Sequence, residues 1–467
     1  MPPPDVSAAA RPANQLAAAR PQPGERESGE RRMVRKRIFS NVAWMLLERV
    51  VVTLAVLASN IYVVRSLGAS KFGELSYLQA ILGLAVVVAD FGLRRVLLLA
   101  FGGPASGALV SATLLLKMAV AVVLGAASCF AFARSGDAGF LALLLFSLFA
   151  PLEVYAFVLQ AELRNDLLSK IRAGLALMGA GARVWICLED LGGVNTLLLT
   201  YVLQLTGLHL AAWMLAASDD GRRWHVSFHP VARIWRLSKV VLSKSIYYFL
   251  SMLIIQAHYR VDQIMLAKIA GNAELGIYSA AYKLVEQLLM IPAIVSAVLL
   301  PQLALDRKRR ETTRNRLSMI YGVTLLVSIG VAVPVMLLAE PLVRLAFGDA
   351  FGASAGVLFY LMMGVPFLFL ANMSGLYFTV FGRERQAFVR NLMGLAINVA
   401  LNVLMIPRYG AIGAALSTVA SYFVVAVGAE LVFWKRFREH LEIKWDATRN
   451  LFRITSYREL FHVLRDR

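Results

Sequence analysis

Twelve long apolar stretches, separated by short loops, run along most of this chain. A helix needs roughly 20 apolar residues to cross a bilayer, whereas a membrane barrel shows alternating segments of about ten. The chain is 59% hydrophobic, against about 45–50% for ordinary globular domains. We therefore predict an all-α integral membrane protein. The stretches are 41–64, 75–98, 108–132, 139–161, 168–188, 194–217, 240–267, 276–300, 318–340, 355–381, 386–407 and 411–434.

A repeated glycine turn divides these twelve segments into two halves. The copies read RSLGASKFGELSYLQA from Arg65 and KIAGNAELGIYSAAYK from Lys268. Gly68, Gly73 and Ser76 recur as Gly271, Gly276 and Ser279, each 203 residues later. Each copy follows an odd-numbered segment, the first or the seventh. We therefore predict a parallel repeat of two six-helix lobes around a central cavity, where transporters built from repeats bind their substrates. The glycines are expected to allow tight turns and close helix approach.

Lysine and arginine are concentrated in every second loop, which is the positive-inside pattern of membrane proteins. The loops predicted to be cytoplasmic contain Arg94 and Arg95, Arg164 and Lys170, Arg222 and Arg223, Arg307 to Arg310, and Arg383 and Arg385. Both termini are therefore expected to be cytoplasmic. The formal net charge of +19 is explained by this pattern, so we predict no nucleic-acid partner.

The same patterns of hydropathy and charge divide the chain into five regions. We predict a disordered basic cytoplasmic tail over 1–37 and a first lobe over 38–217. An interfacial cytoplasmic linker, rich in arginine and tryptophan, follows over 218–239. The second lobe covers 240–435, and an amphipathic cytoplasmic tail covers 436–467.

Four sequence stretches, in this order across a twelve-segment chain, carry a family resemblance. They are Arg65–Tyr77 with Ala89–Leu93, Val261–Leu266 with Leu275–Tyr282, Gly382–Arg383 with Asn391, Asn398 and Asn402, and Ile406–Ala415. Over roughly residues 38–435 the chain resembles the polysaccharide-transporter branch of the multidrug/oligosaccharidyl-lipid/polysaccharide exporter superfamily, the Wzx-type flippases. Glycine turns between apolar helices are common, so it is the combination that is specific.

The resemblance implies both an architecture and an activity. It implies two lobes that rock between inward- and outward-open states in a bacterial inner membrane. It also implies a substrate of the undecaprenyl-diphosphate-linked oligosaccharide type, flipped from the cytoplasmic to the periplasmic leaflet. A polysaccharide polymerase or glycosyltransferases are the protein partners that such an activity implies.

Charged and polar side chains inside the apolar segments are the candidate site residues, because an ionised group in hydrocarbon is costly and usually faces a cavity or a partner. A guanidinium matches phosphate oxygens in a bidentate way and stays charged. The candidate substrate-binding cations are Arg49, Arg260, Lys117, Arg183 and Lys283, and the candidate cavity-lining polar residues are Thr53, Asn60, Tyr248, Gln256, Tyr259 and Gln263. For each cation the alternative is a structural ion pair or a side chain that reaches the membrane surface.

Carboxylates within the segments are candidates for ion coupling. Asp90, Glu153 and Glu162 are the residues that such a role would use. A structural role beside a neighbouring arginine is the alternative for Asp90. The sequence does not identify a coupling ion.

The sequence contains no motif that matches another functional class. No phosphate-binding G-x-x-x-x-G-K-[ST] loop occurs, and His225 and His229 lack further ligands at suitable spacing, so we predict no cofactor and no metal. A cation-coupled multidrug exporter of the same superfamily stays an alternative, although it predicts a more acidic cavity. A membrane-embedded enzyme of polysaccharide assembly would need a large periplasmic loop or a sugar-nucleotide domain. A non-transporting scaffold is not excluded by any motif.

Overall fold

The computed structural model describes residues 23–100, 106–162, 164–218 and 230–449, and this part of the chain is helical with short turns and no strand. The helices are α1 (Pro23–Asp90), α2 (Leu93–Ala100), α3 (Ser106–Ser135), α4 (Gly139–Phe149), α5 (Glu153–Ala161), α6 (Asn165–Leu188), α7 (Val194–Ser218), α8 (Val231–Ile269), α9 (Asn272–Leu288), α10 (Met290–Leu305), α11 (Arg310–Leu337), α12 (Ala339–Phe347), α13 (Ser354–Val380), α14 (Glu384–Phe423), α15 (Ala429–Val432) and α16 (Trp434–Arg449).

The described helices account for all twelve predicted membrane segments. Nine stretches of the described residues are long and apolar enough to cross a membrane. One of them, 384–432, covers the last two predicted segments, and α1 with α2 covers the first two. The prediction of an all-α membrane fold is confirmed.

Glycines with positive φ separate the two segments within each of these long helices. Gly68 (φ 69°) bends α1, and Gly410 (φ 53°) bends α14. Gly271, the repeat equivalent of Gly68, has φ 90° and immediately precedes α9. Only glycine adopts this backbone region readily, so these turns depend on residue type. We call the end of the bundle that carries these three glycines the outer end, following the charge pattern.

Parts of the predicted tails and linker differ from the structure or lie outside it. Helix α1 begins at Pro23, so residues 23–37 are helical where disorder was predicted. A proline suits the first helical position, and the glutamate and arginine residues that follow are good helix formers. Residues 1–22, 219–229 and 450–467, with His225 and His229 among them, lie outside the described residues.

The two repeat copies contact each other at the outer end. A Cβ atom on Gly73 would overlap the carbonyl oxygen of Asn272, and one on Gly276 would overlap that of Ala69. Asn272 and Gly276 are the repeat equivalents of Ala69 and Gly73, so the contact is reciprocal. The predicted close helix approach therefore occurs between the two halves of the chain.

Side chains add two further contacts between the halves at this end. The Arg65 Nε donates a hydrogen bond of 2.7 Å to the carbonyl of Ala346 on α12. The Lys268 ammonium lies 4.9 Å from the ring centroid of Tyr77. Together with the glycine contact, these bonds close the outer end of the bundle.

Helix α16 packs against the opposite end of the second half and covers a buried carboxylate. Glu430, fully buried, accepts two hydrogen bonds of 2.8 Å from Lys444 and one of 2.9 Å from Nδ1 of His440. The Tyr321 hydroxyl lies 2.9 Å from Nε2 of His440. Burial and the nearby Lys444 ammonium lower the pKa of His440 to about 3, so its imidazole is neutral at pH 7. A neutral ring that donates to Glu430 through Nδ1 accepts from Tyr321 through Nε2.

Candidate substrate site between the two halves

Three charged side chains of the second half meet deep in the bundle. Arg260 lies nine residues before the end of α8, which places it roughly 13 Å from the outer end. Its Nη2 donates a hydrogen bond of 2.9 Å to Oε1 of Glu286, and the Lys283 Nζ lies 3.4 Å from Oε2 of the same carboxylate. Their side chains keep 16% (Arg260), 27% (Glu286) and 13% (Lys283) of their surface accessible. The second half thus presents two cations bridged by one anion.

The first half contributes a buried guanidinium. Arg183 on α6 is fully buried, donates 2.9 Å from Nε to the Ser59 hydroxyl, and lies 3.3 Å from Oε1 of Gln204. It also stacks 4.1 Å above the ring of Tyr201. The Tyr201 hydroxyl donates 3.0 Å to Oδ1 of Asn60. Polar groups from two other helices of the first half, α1 and α7, therefore hold this side chain in place.

Both groups lie against α1, a helix of the first half. The Arg260 side chain packs against Gly83 of α1, and Arg183 bonds Ser59 on the same helix. We call Arg183, Arg260 and Lys283, with Glu286, the central cation cluster. Three cations and one carboxylate leave it with an excess of positive charge. Among the described residues, the buried Nη2 of Arg183 and Nε of Arg260 have no hydrogen-bond partner.

Lys117 belongs to a different network within the first half. Its Nζ donates 2.6 Å to Oε2 of Glu153 and 2.9 Å to the carbonyl of Ala89. Arg94 bonds the other oxygen of Glu153 at 3.0 Å and lies 3.4 Å from Asp90. Two of the predicted coupling carboxylates, Asp90 and Glu153, are thus paired with cations. Their role in ion coupling stays a prediction.

The polar residues predicted to form one stripe on α8 lie in two different environments. Tyr248 packs against the turn that ends α1, and Gln256 packs against Gly83 in the last two turns of the same helix. Tyr259 instead packs against the hydrophobic core, and Gln263 is buried. Rotation along the helix therefore directs only part of the stripe toward the first half.

The structure describes no contact with this cluster for three further predicted residues. The side chain of Arg49 lies outside the described residues, although α1 runs through this position. Thr53 is half-buried on α1. Glu162 is half-buried at the end of α5. A substrate-binding, cavity-lining or coupling role for them stays a prediction.

A second polar pocket lies within the second half, around Asp262. Its Oδ2 accepts hydrogen bonds from Tyr278 (2.8 Å) and Thr418 (2.6 Å). Asn402 donates 3.1 Å to Oδ1 of Asn398, one helical turn away on α14. The buried Oδ1 atoms of Asp262 and Asn402 have no partner in the part of the chain that the structure describes.

Carboxylate, amide and hydroxyl oxygens are the ligands that hard cations prefer. In the described ranges, no three histidine, cysteine or acidic side chains come together. A single carboxylate ringed by neutral oxygen donors carries one negative charge, which balances a monovalent rather than a divalent cation. The Asp262 pocket is therefore the candidate ion site of the described structure.

Comparison with known proteins places the chain in a family. The family model for polysaccharide biosynthesis proteins matches residues 38–305, more than half of the chain. The model for the lipid II flippase MurJ matches residues 191–455. The chain belongs to the polysaccharide biosynthesis protein family. This confirms the predicted flippase family, and it makes the chain a membrane transport protein rather than an enzyme.

Similarity to individual proteins is consistent with this family membership. A probable low-salt glycan biosynthesis flippase, Agl15 of Haloferax volcanii, is 23% identical over 384 residues, covering 78% of this chain and 76% of that protein. The inward closed structure of the lipid II flippase MurJ aligns with a TM-score of 0.63 at 14% identity, covering 89% of this chain and 92% of that one. An inward-facing multidrug transporter of the same superfamily also gives 0.63 at 14% identity, covering 85% and 98%. At such identity the structural likeness is one of fold, and it confirms the predicted two-lobe architecture.

The family motifs and the hydropathy pattern miss four members of this site. Glu286 is the most important of them, and its spacing of three residues from Lys283 on one helix face was a readable signal. Gln204 and Tyr201 stand out as polar groups in an apolar segment. Ser59 carries no such signal, because serine is common in membrane helices and often bonds its own backbone.

Proposed function

We propose that this protein flips an undecaprenyl-diphosphate-linked oligosaccharide from the cytoplasmic to the outer leaflet of a bacterial inner membrane, with both termini in the cytoplasm. The observation that carries the proposal is the central cation cluster, with its excess positive charge between the two halves. Family membership supports a lipid-linked glycan as the cargo. Assembly with a polymerase or glycosyltransferases stays a prediction.

The cluster is chemically matched to a diphosphate. Guanidinium groups bind phosphate oxygens through paired N–H donors, and Arg183 and Arg260 each have a buried N–H group without a described protein partner. A buried donor left unpaired costs about 1–3 kcal/mol, which a phosphate oxygen would recover. An organic cation, the cargo of the alternative multidrug exporter, would be repelled by the same cluster.

The placement of the cations supports an alternating-access mechanism. Arg183 lies in the first half, whereas Arg260 and Lys283 lie in the second. A diphosphate held between them therefore contacts both halves at once. The apolar polyprenyl chain gains by staying in the bilayer, so the charged headgroup alone needs the polar interior. Rocking of the halves about this headgroup then exposes it to one side of the membrane at a time.

Replacing Arg260 by alanine is expected to lower export at least about 30-fold, since truncating one partner of a buried charge pair costs about 2–5 kcal/mol. The measurement is flipping of a fluorescent undecaprenyl-diphosphate-linked oligosaccharide in proteoliposomes, read out as protection from a membrane-impermeant reductant. Arg344→Ala is the matched control, because this exposed arginine on α12 pairs only with the exposed Glu340 and Asp349 in the described structure. Equal flipping by both variants would remove Arg260 from the site.

We further propose that a monovalent cation in the Asp262 pocket drives export. The pocket joins α8 to α9 and α14, so an ion bound there would tie together helices that also position Arg260 and Glu286. The unpartnered oxygens of Asp262 and Asn402 are the ligands that such an ion would gain.

Asp262→Asn is therefore expected to reduce ion-stimulated flipping about tenfold or more, because the pocket loses its only described carboxylate. Flipping is measured in proteoliposomes with an imposed sodium, potassium or proton gradient, each in turn. Glu162→Gln serves as a comparison, since Glu162 is also a predicted coupling carboxylate. An unchanged ion response in Asp262→Asn, with loss in Glu162→Gln, would move the coupling site to Glu162.

A further inference from the structure

Glu286 bridges the two cations that the second half presents to the substrate. One carboxylate oxygen bonds the Arg260 guanidinium at 2.9 Å, and the other lies 3.4 Å from the Lys283 ammonium. Two oxygens of one phosphate group are spaced closely enough to make the same pair of contacts. The carboxylate therefore occupies the position that a bound phosphate would need.

Stability alone gives little reason for this acid. Replacing a whole buried ion pair by apolar side chains usually changes stability little, because the desolvation of both charges offsets their attraction. Even with Glu286 present, the cluster keeps an excess of positive charge, and N–H groups of Arg183 and Arg260 stay unpaired among the described residues. Glu286 is also the most accessible of the three side chains on the second-half side. An acid placed only for neutralisation would be expected to be the best buried member.

We propose that Glu286 is an internal counter-ion that holds the place of the substrate phosphate in the empty transporter and is displaced when substrate binds. The inference rests on the proposed function, since it assumes that the central cation cluster binds a diphosphate. In the empty protein, Glu286 keeps Arg260 and Lys283 from repelling each other. In the loaded protein the phosphate takes over both cations, and Glu286 turns away.

Displacement of Glu286 by the substrate also affects how the substrate is released. A fixed anion that competes for the same cations weakens binding of the diphosphate, because like charges placed together cost several kcal/mol. The same competition lets the carboxylate recapture Arg260 and Lys283 when the headgroup reaches the outer side. Glu286 therefore lowers affinity and speeds release, which makes it a positioning residue for the cations.

The test compares binding with transport in the purified full-length protein. The binding probe is farnesyl diphosphate, a short polyprenyl diphosphate, titrated calorimetrically in detergent. Glu286→Gln is expected to bind the probe about tenfold tighter or more than the wild type, while its maximal flipping rate in proteoliposomes falls. Glu340→Gln, at the exposed acid on α12, is the matched control and should change neither value. A dissociation constant for Glu286→Gln that equals or exceeds the wild-type value overturns the proposal.

A charge-balanced variant covers the case in which Glu286→Gln does not fold. Lys283→Met with Glu286→Met removes one cation and one anion, so the net charge is unchanged. It should bind the probe at least as tightly as the wild type, whereas Lys283→Met alone should bind it more weakly. Equal weakening in both variants overturns the counter-ion role. Arg260→Ala separates the two proposals, because unchanged probe binding there would refute the substrate site itself.

Discussion

Replacing Gly276 by valine is expected to abolish export, with a loss of at least about 100-fold. Even a Cβ atom at this position would overlap the carbonyl oxygen of Ala69. The obstructing atom belongs to the backbone, so relief requires the two halves to separate at the outer end. The variant should therefore remain open on the outer side and fail to complete the transport cycle.

Two measurements check this expectation. Flipping is assayed in proteoliposomes, and outer opening is assayed by labelling Ser279→Cys, in a background with Cys129 and Cys187 replaced by serine, with a membrane-impermeant maleimide. Ser279 is buried beside the glycine contact, so labelling should rise when the contact opens. Gly73→Val should behave in the same way, because the contact is reciprocal.

Gly330→Val is the matched control for this prediction. Gly330 lies within α11, and a Cβ atom there would meet no described atom within 4 Å. This variant should flip substrate normally and leave Ser279→Cys unlabelled. Normal export by Gly276→Val, without extra labelling, would contradict the outer contact as part of the cycle.

Replacing Glu430 by glutamine is expected to destabilise the protein by about 3–5 kcal/mol, which is the typical cost of breaking a buried ion pair. Glu430 is fully buried, and it pairs with Lys444 at 2.8 Å and with Arg390 at 3.7 Å. Its loss leaves both of these cations buried without their main anion. Burial already lowers the pKa of Lys444 to about 8, so its ammonium depends on this partner. The measurement is thermal unfolding in detergent, with the midpoint expected to fall by several degrees.

A matched control and a rescue variant make this result specific. The control is Glu442→Gln, because Glu442 lies on the same helix as Lys444 and pairs with Arg314 and Arg438, but its side chain is 38% exposed. Exposed pairs contribute about 0–1 kcal/mol, so this variant should unfold close to the wild type. Glu430→Gln with Lys444→Met should recover part of the loss. An unfolding midpoint for Glu430→Gln equal to that of Glu442→Gln would show that the buried network contributes no stability.

Features that depend on residues close together in the sequence were predictable from the sequence. Membrane segments are set by hydrophobicity summed over about 20 residues, and all twelve occur as helices. The repeat around Gly68 and Gly271 predicted turns that the structure places at positive φ. The candidate list also contained Arg183, Arg260 and Lys283, because a charge in an apolar segment is visible without any knowledge of its partner.

The partners of those charges were not predictable. Lys117 and Arg183 look alike in the sequence, yet Lys117 bonds Glu153 whereas Arg183 joins the central cation cluster. Each residue advances the helix by 100°, so an uncertain boundary leaves the direction of every side chain undecided. The same uncertainty hid the Asp262 pocket, since its members come from α8, α9 and α14.

The sequence by itself determined that this protein crosses the membrane many times, consists of two equivalent halves and carries cations within its apolar segments. Those properties are sums over local residues. The tertiary structure alone decided which cations meet, that Glu286 bridges two of them, and that the repeated glycines pack against each other. These depend on contacts across large separations, such as the 124 residues between Ser59 and Arg183, and helix rotation and packing determine such contacts.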